Sequence, residues 1–170
     1  MRRMANETVY LAGGCYWGFE DLLSKIPGVI ETAVGFSGGH VKNVSYREVS
    51  SGTTGHAETV KVIFNSDILS FTDLLTFFFK MHNPTTLNQQ GNDIGTQYRS
   101  AIFATTDEQI LLAEELIKKI DSLGVLTKKI TTEVNTFNTF FLAEENHQKY
   151  LEKYPDGYTC HFIRDINLSV

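Results

Sequence analysis

Residues 8–36, TVYLAGGCYWGFEDLLSKIPGVIETAVGF, read as strand, helix, strand, and this opening decides the class of the fold. Thr8 to Leu11 is a short strand leading into the turn Gly13-Gly14-Cys15-Tyr16-Trp17-Gly18. Phe19, Leu22, Leu23 and Ile26 then recur at i, i+3, i+4 and i+7, the spacing of one apolar helix face. Pro27-Gly28 ends that pattern, and Val29 to Phe36 reads as a second strand. The turn sets one of only two cysteines between glycines and beside the only tryptophan. A cysteine at a helix N-terminus meets the positive end of the helix dipole and backbone N–H groups without intrahelical partners, both of which favour the thiolate. Gly13, Gly14 and Gly18 allow close backbone approach, and the aromatics wall a pocket against water. Taken alone, the turn reads equally well as a nucleophile beside an aromatic pocket or as a buried cysteine in a strand-to-helix connection, because cysteine is among the most buried residue types.

The rest of the chain keeps alternating. His40 to Gly55 is polar and turn-rich and reads as a functional loop, and Ala57 to Phe64 is a strand with Val60, Val62 and Phe64 on one side. Ser70 and Asp73 start a helix in capping-box style. Its Leu74, Leu75, Phe77, Phe78 and Phe79 make it apolar nearly all round, and Pro84 stops it. Asn83 to Gln97 is a long polar stretch of the kind that is functional or disordered in compact domains. Arg99 to Thr105 is a strand, and Thr106 caps a helix over 107–120 that buries Ile110, Leu111, Ala113, Leu116, Ile117 and Ile120. Ile130 to Thr136 is a last strand, and a short helix is expected over 143–153. The alternation predicts an α+β or α/β two-layer sandwich, a mixed β-sheet covered by helices in the manner of a ferredoxin-like plait, with an irregular tail from Tyr154. Strand order does not follow from it.

At 170 residues the chain fits one domain, 1–170, with a real core. A net charge of −5 argues against a dedicated nucleic-acid binder. No stretch approaches the ~20 apolar residues of a membrane span. Arg2 and Arg3 are followed by Met4-Ala5-Asn6-Glu7-Thr8 instead of an apolar signal segment, so a cytoplasmic protein is expected. In a reducing cytoplasm Cys15 and Cys160 are a transient redox pair or two unrelated thiols, not a permanent disulfide. They lack the spacing of a zinc site.

Five motifs in order change the balance at Cys15: Gly13-Gly14-Cys15-Tyr16-Trp17-Gly18, Gly52-Thr53-Thr54-Gly55-His56-Ala57-Glu58, Asp93-Ile94-Gly95-Thr96-Gln97-Tyr98-Arg99-Ser100, His147-Gln148 before Tyr150-Leu151, and Gly157-Tyr158-Thr159-Cys160-His161. Through them the chain resembles the type A peptide methionine sulfoxide reductases from about Val9 to His161. The resemblance implies reduction of the S epimer of methionine sulfoxide, free or within a polypeptide. It makes Cys15 the nucleophile that attacks the sulfoxide sulfur and Glu58 the proton donor to the departing oxygen. An apolar pocket would keep Glu58 protonated at neutral pH, since desolvation penalises the charged form. Tyr46 and Tyr98 match phenols that hydrogen-bond the sulfoxide oxygen. Tyr16 and Trp17 match the aromatic walls around the S-methyl group, and Asp93 matches an acid of the active-site loop. Cys160 matches the tail cysteine that condenses with the Cys15 sulfenic acid to a disulfide, which thioredoxin-type reductants then reopen.

The cysteines carry the electrons, so no metal, nucleotide or flavin cofactor is implied, and a monomer without nucleic-acid or membrane partners is expected. Two departures stand out. Tyr16 occupies a position where phenylalanine is usual, adding a polar tip to an apolar wall. Ser50 stands where some members carry a further cysteine, which excludes a three-cysteine relay. Two rival readings use the same residues: a cysteine hydrolase with Cys15 activated by His56, His147 or His161, and a redox-sensing module that needs both thiols but neither Glu58 nor the paired tyrosines.

Overall fold

The structure, a computed structural model, describes residues 6–159 and 161–168. In chain order its elements are β1 (Asn6–Gly13), α1 (Tyr16–Ser24), β2 (Val29–Ser37), α2 (Tyr46–Ser50), β3 (Ala57–Asn65), α3 (Phe71–Met81), β4 (Gln89–Gln90), β5 (Asp93–Ile94), a 3-10 turn (Thr96–Tyr98), β6 (Ser100–Ala104), α4 (Asp107–Leu123), β7 (Glu133–Thr136), β8 (Phe140–Leu142), a second 3-10 turn (Glu145–His147) and α5 (Tyr150–Lys153). Six strands pair in the order β7-β6-β1-β3-β2-β8, while β4 and β5 form a separate small hairpin. Neighbours are antiparallel except β6 and β7, which run parallel. The mixed sheet with helices packed on it is the α+β architecture expected from the alternation. Its centre follows the order β1-α1-β2-β3-α3-β6, a split β-α-β-β-α-β arrangement that β7 and β8 extend at the two edges.

The period of two along each strand decides what faces the helices. Val9 and Leu11 of β1, Val60, Val62 and Phe64 of β3, and Val34 and Phe36 of β2 join one core with Phe19 and Leu23 of α1, Leu74, Leu75, Phe78 and Phe79 of α3, and Ala113, Leu116 and Ile120 of α4. The alternate residues Tyr10, Ala12, Ala101 and Phe103 form a smaller cluster on the other face, where Phe137 stacks on Tyr10 at 4.0 Å. Helix starts follow the chemistry of their caps. Ser70 Oγ accepts from the Asp73 N–H at 3.0 Å, and Thr106 Oγ1 accepts from the Gln109 N–H at 3.1 Å. Gly124 closes α4 in the left-handed region at φ 66°.

Four expectations need correcting. The loop over 40–55 contains α2, which Ser45 and Glu48 start with a reciprocal capping box. Leu111 is 61% exposed, because the buried stripe of α4 runs through Gln109, Ala113, Leu116 and Ile120 and leaves Leu111 on the outer side. The strand near the C-terminus is shorter than 130–136: Ile130 gives its N–H to Asp121 Oδ1 at 3.0 Å and stays outside the ladder. No continuous helix covers 143–153. The segment leaves β8, makes the 3-10 turn, and restarts as α5 after Lys149, whose φ of 52° breaks the helix. The irregular tail is as expected over 154–159 and 161–168. It packs against the end of α3 through the Arg164 N–H on the Lys80 carbonyl at 2.8 Å, with Leu168 buried. Among the described residues no helix is long and apolar enough to cross a membrane.

One buried polar chain pins α3 to the sheet. His82 Nδ1–H donates to the Phe78 carbonyl at 2.7 Å and Nε2 accepts from Ser100 Oγ at 2.8 Å, while Ser100 Oγ meets Thr132 Oγ1 at 2.7 Å. Burial pushes the His82 pKa down to about 3, and the nearby positive charges of His161 and Arg164 add to the effect. The unfolded chain takes up this proton near pH 6.5 while the native state refuses it until about pH 3, so stability is lost as pH falls through that window. Denaturant midpoints recorded from pH 7 to pH 4 are expected to fall for the wild type and to fall less steeply for His82→Gln. Equal slopes would contradict this account.

Candidate active site

The end of the sheet where β1 and β2 finish and β3 and β6 begin gathers the chemistry. Gly13 of β1 pairs with Ser100 of β6, and Glu58 of β3 pairs with Phe36 of β2. The chain leaving β1 turns through Gly14 and Cys15 into α1, and Cys15 is the N-cap residue of that helix. Tyr98 ends the 3-10 turn immediately before β6, and Tyr46 opens α2 in the connection between β2 and β3. Three connections and strand β3 thus deliver four polar groups to one end of the sheet.

Glu58 continues the inward row of Val60, Val62 and Phe64, so its carboxyl points under α1 and is 0% exposed. Its Oε1 accepts the Tyr16 N–H at 3.2 Å, one of the first-turn donors that have no partner within the helix. Its Oε2 has no hydrogen-bond partner among the described residues. Burial drives the Glu58 pKa up to about 8; the Tyr16 N–H pulls it down in part, and the neighbouring Asp93 charge raises it further. The carboxyl is therefore predominantly protonated at neutral pH and can act as an acid.

The phenols are held un-ionised by the same surroundings. Burial first, then the Glu58 charge, raises the pKa of Tyr98. Burial and Glu58 also raise that of Tyr46, with hydrogen bonds to Ser50 and Tyr98 opposing them. Both stay hydrogen-bond donors across the physiological range. Trp17 is half-buried and tightly framed: it stacks on Tyr150 at 3.9 Å, lies 6.3 Å from the Tyr46 ring, and donates Nε1–H to His147 Nδ1 at 2.9 Å. That bond assigns the His147 hydrogen to Nε2, and burial keeps the ring neutral by lowering its pKa. His147 also sits 4.4 Å from the Tyr46 ring, so one imidazole holds both aromatics. Tyr16, like Glu58, is fully buried, with its ring among Phe36, Tyr46 and His147.

The glycines of the Cys15 turn leave room for the tail. Gly14 has φ 102°, and a Cβ there would stand 2.7 Å from Gln90 Cγ and 3.2 Å from His161 Nε2; a Cβ on Gly18 would collide with Thr159. His161 Nε2 binds the Gly13 carbonyl at 2.6 Å. Thr159 and His161 therefore lie on the Cys15 turn, while Cys160 itself is outside the described residues. Asp93 holds the tail from the other side by accepting from Tyr158 Oη at 3.1 Å. It reaches the centre through its charge on Glu58 and Tyr98.

Two residues inside the motifs have other work. His56 accepts the Gly39 N–H on Nδ1 at 3.0 Å and donates from Nε2 to the Val41 carbonyl at 2.6 Å, fixing the loop before α2. Arg99 bonds the Thr96 carbonyl at 2.9 Å and pairs with Glu133 at 3.4 Å. Sequence reasoning missed the clamps on Trp17, namely Tyr150 and the acceptor role of His147. It also missed the support beneath α1, where Glu20 accepts from Thr32 Oγ1 at 2.9 Å and from the Lys149 N–H at 2.7 Å. The buried Glu20 in an otherwise apolar helix face was the available signal.

The arrangement pairs a cysteine at a helix N-terminus with a protonated carboxyl, two neutral phenols and an aromatic wall. Comparison with known proteins agrees with it. The family model described as peptide methionine sulfoxide reductase matches residues 7–169. Peptide methionine sulfoxide reductase MsrA 1 of Mesorhizobium japonicum is 51% identical over 160 residues, which is 94% of this chain and 91% of that protein. Among solved structures, Mxr1 from Saccharomyces cerevisiae in reduced form superposes with a TM-score of 0.85 at 36% identity, covering 96% of this chain and 95% of that one. Methionine sulfoxide reductase A of Corynebacterium diphtheriae gives a TM-score of 0.83 at 38% identity, covering 94% and 80%. The chain belongs to the peptide methionine sulfoxide reductase family.

Proposed function

We propose that this protein reduces the S epimer of methionine sulfoxide, free or within polypeptides, with Cys15 as nucleophile and Glu58 as proton donor. The observation that carries this reading is the fully buried Glu58 carboxyl hung on the first turn of the helix that Cys15 caps. A sulfoxide oxygen is a poor leaving group until it is protonated, and a carboxyl with a pKa of about 8 still holds its proton at neutral pH. Tyr46 and Tyr98 donate to the oxygen as negative charge gathers on it. Trp17 and the ring of Tyr16 enclose the S-methyl group, and sulfur–aromatic contact favours it there. Asp93 acts at a distance: its negative charge helps keep Glu58 protonated.

The electrons balance within two thiols. The Cys15 thiolate attacks the sulfoxide sulfur, the oxygen takes up protons and passes to the cysteine sulfur, and methionine leaves, so Cys15 becomes a sulfenic acid. The Cys160 thiol then condenses with it, releasing water and forming a disulfide. A thioredoxin-type dithiol reduces that disulfide by exchange. The positions of Thr159 and His161 on the Cys15 turn support the resolving role of Cys160. A cycle that needs a standing supply of reducing thiols fits a cytoplasmic setting.

The test is methionine release from an S-sulfoxide substrate with dithiothreitol as reductant. Wild type is expected to turn over and Cys15→Ser to be inactive; activity in Cys15→Ser would refute the assignment. Glu58→Gln is expected to lower kcat/KM by about 10²–10⁴-fold, the usual worth of a positioned acid. Because Glu58 works only while protonated, wild-type kcat/KM falls as pH rises through about 8, and this limb is absent from the residual activity of Glu58→Gln. An unchanged alkaline limb in the variant would assign the proton to another group. Cys160→Ser is expected to release one methionine per enzyme and then to stop when thioredoxin is the sole reductant. Sustained cycling under those conditions would remove Cys160 from the mechanism.

A further inference from the structure

Tyr16 carries a hydroxyl that its packing does not require. Its ring fills core space, tilted against Phe36 and His147 at 5.7 Å each and lying 6.2 Å from the Tyr46 ring. A phenyl ring would serve that purpose. The phenol adds an oxygen that is fully buried and has no hydrogen-bond partner among the described residues. Buried polar groups are nearly always satisfied, and one that is not calls for a role.

A second buried atom shares the condition. Glu58 Oε2 also lacks a hydrogen-bond partner among the described residues, while Oε1 of the same carboxyl holds the Tyr16 backbone N–H at 3.2 Å. Tyr16 directly follows Cys15 in the chain, and its ring lies 6.2 Å from that of Tyr46. The two residues that carry these unsatisfied atoms meet at the first turn of α1, where the Tyr16 N–H holds Glu58 and the Tyr16 ring lies beside that of Tyr46. They are brought there by different elements, α1 and β3, so the pairing is not an accident of one loop.

We propose that the Tyr16 hydroxyl is a third phenolic donor of the substrate chamber, binding the sulfoxide oxygen alongside Tyr46 and Tyr98 and so determining specificity for a sulfoxide over its thioether. This inference rests on the sulfoxide reading above. A site with a buried donor binds a ligand that satisfies it and discriminates against the analogue that leaves it unpaired. The thioether product carries no oxygen, so the hydroxyl loses its partner once methionine has formed. Product is thereby disfavoured in the chamber relative to substrate. A phenylalanine at this position keeps the apolar wall and gives up the discrimination.

Tyr16→Phe is the direct test, since it keeps the ring and removes a buried unsatisfied group. Binding of a methyl sulfoxide ligand and of the matching thioether is measured by calorimetry in Cys15→Ser, where no turnover occurs, with and without Tyr16→Phe. Steady-state kinetics and thermal midpoints are recorded in the Cys15 background. The expected result is about tenfold weaker sulfoxide binding, the worth of one neutral hydrogen bond, with thioether affinity unchanged. kcat/KM falls by a similar factor and the thermal midpoint does not fall. Equal sulfoxide affinity and equal kcat/KM in an active wild-type background would overturn the proposal, and a rise in the thermal midpoint alone would mark the hydroxyl as a packing feature. Absence of turnover by the wild type would instead overturn the reading on which the proposal rests.

Discussion

The hydrogen bond from the Tyr16 N–H to Glu58 Oε1 is the contact on which the site depends. It ties the first turn of α1 to β3, and by doing so it sets a buried carboxyl against the residue that caps the helix. Two demands oppose each other there. The helix N-terminus offers donors and a favourable potential for negative charge, which lowers the carboxyl pKa. The surrounding apolar residues deny the charge solvent, which raises it, and burial is the larger effect. The outcome is a carboxyl that keeps its proton yet stays tethered by one donor, a suitable state for an acid that must part with that proton during each cycle.

The aromatic side of the site is organised by side chains far apart in sequence. Trp17 would have several rotamers on an exposed helix start; His147 and Tyr150 leave it one orientation. Because His147 accepts from the indole, it works as a neutral acceptor, and protonation would cost it that bond. The tail completes the enclosure. It lies against Gly14 and Gly18, where a side chain would meet His161 or Thr159, whereas a side chain at Gly13 would meet the Phe19 ring.

Much of this was legible in the sequence, and the limits have physical causes. β1, α1, β2 and β3 follow from clear periodicity, and the alternation that buries Val60, Val62 and Phe64 also carries Glu58 inward two residues earlier. That row was the local signal that Glu58 does not face solvent. Leu111 was misassigned because a helix with apolar residues on adjacent positions does not say which edge of its stripe meets the core. The segment over 143–153 has helical composition but bends at Lys149, where Glu20 of α1 claims its backbone N–H, a contact 129 residues away in the chain. α2 was hidden within a polar loop although Ser45 and Glu48 spell a capping box, since a five-residue helix has too few turns to show a period. At the site, the residue types and order were legible, while the partners that orient them depend on tertiary contacts that no local pattern contains.

The central claim is that Glu58 is a protonated carboxyl at neutral pH. ¹³C NMR of protein labelled at glutamate side-chain carboxyls, with the Glu58 signal assigned by its loss in Glu58→Gln, reads this directly. The account predicts a carboxylic-acid shift at pH 7 and a titration midpoint near 8. A carboxylate shift at pH 6, with a midpoint near the 4.5 of an ordinary glutamate, would contradict it.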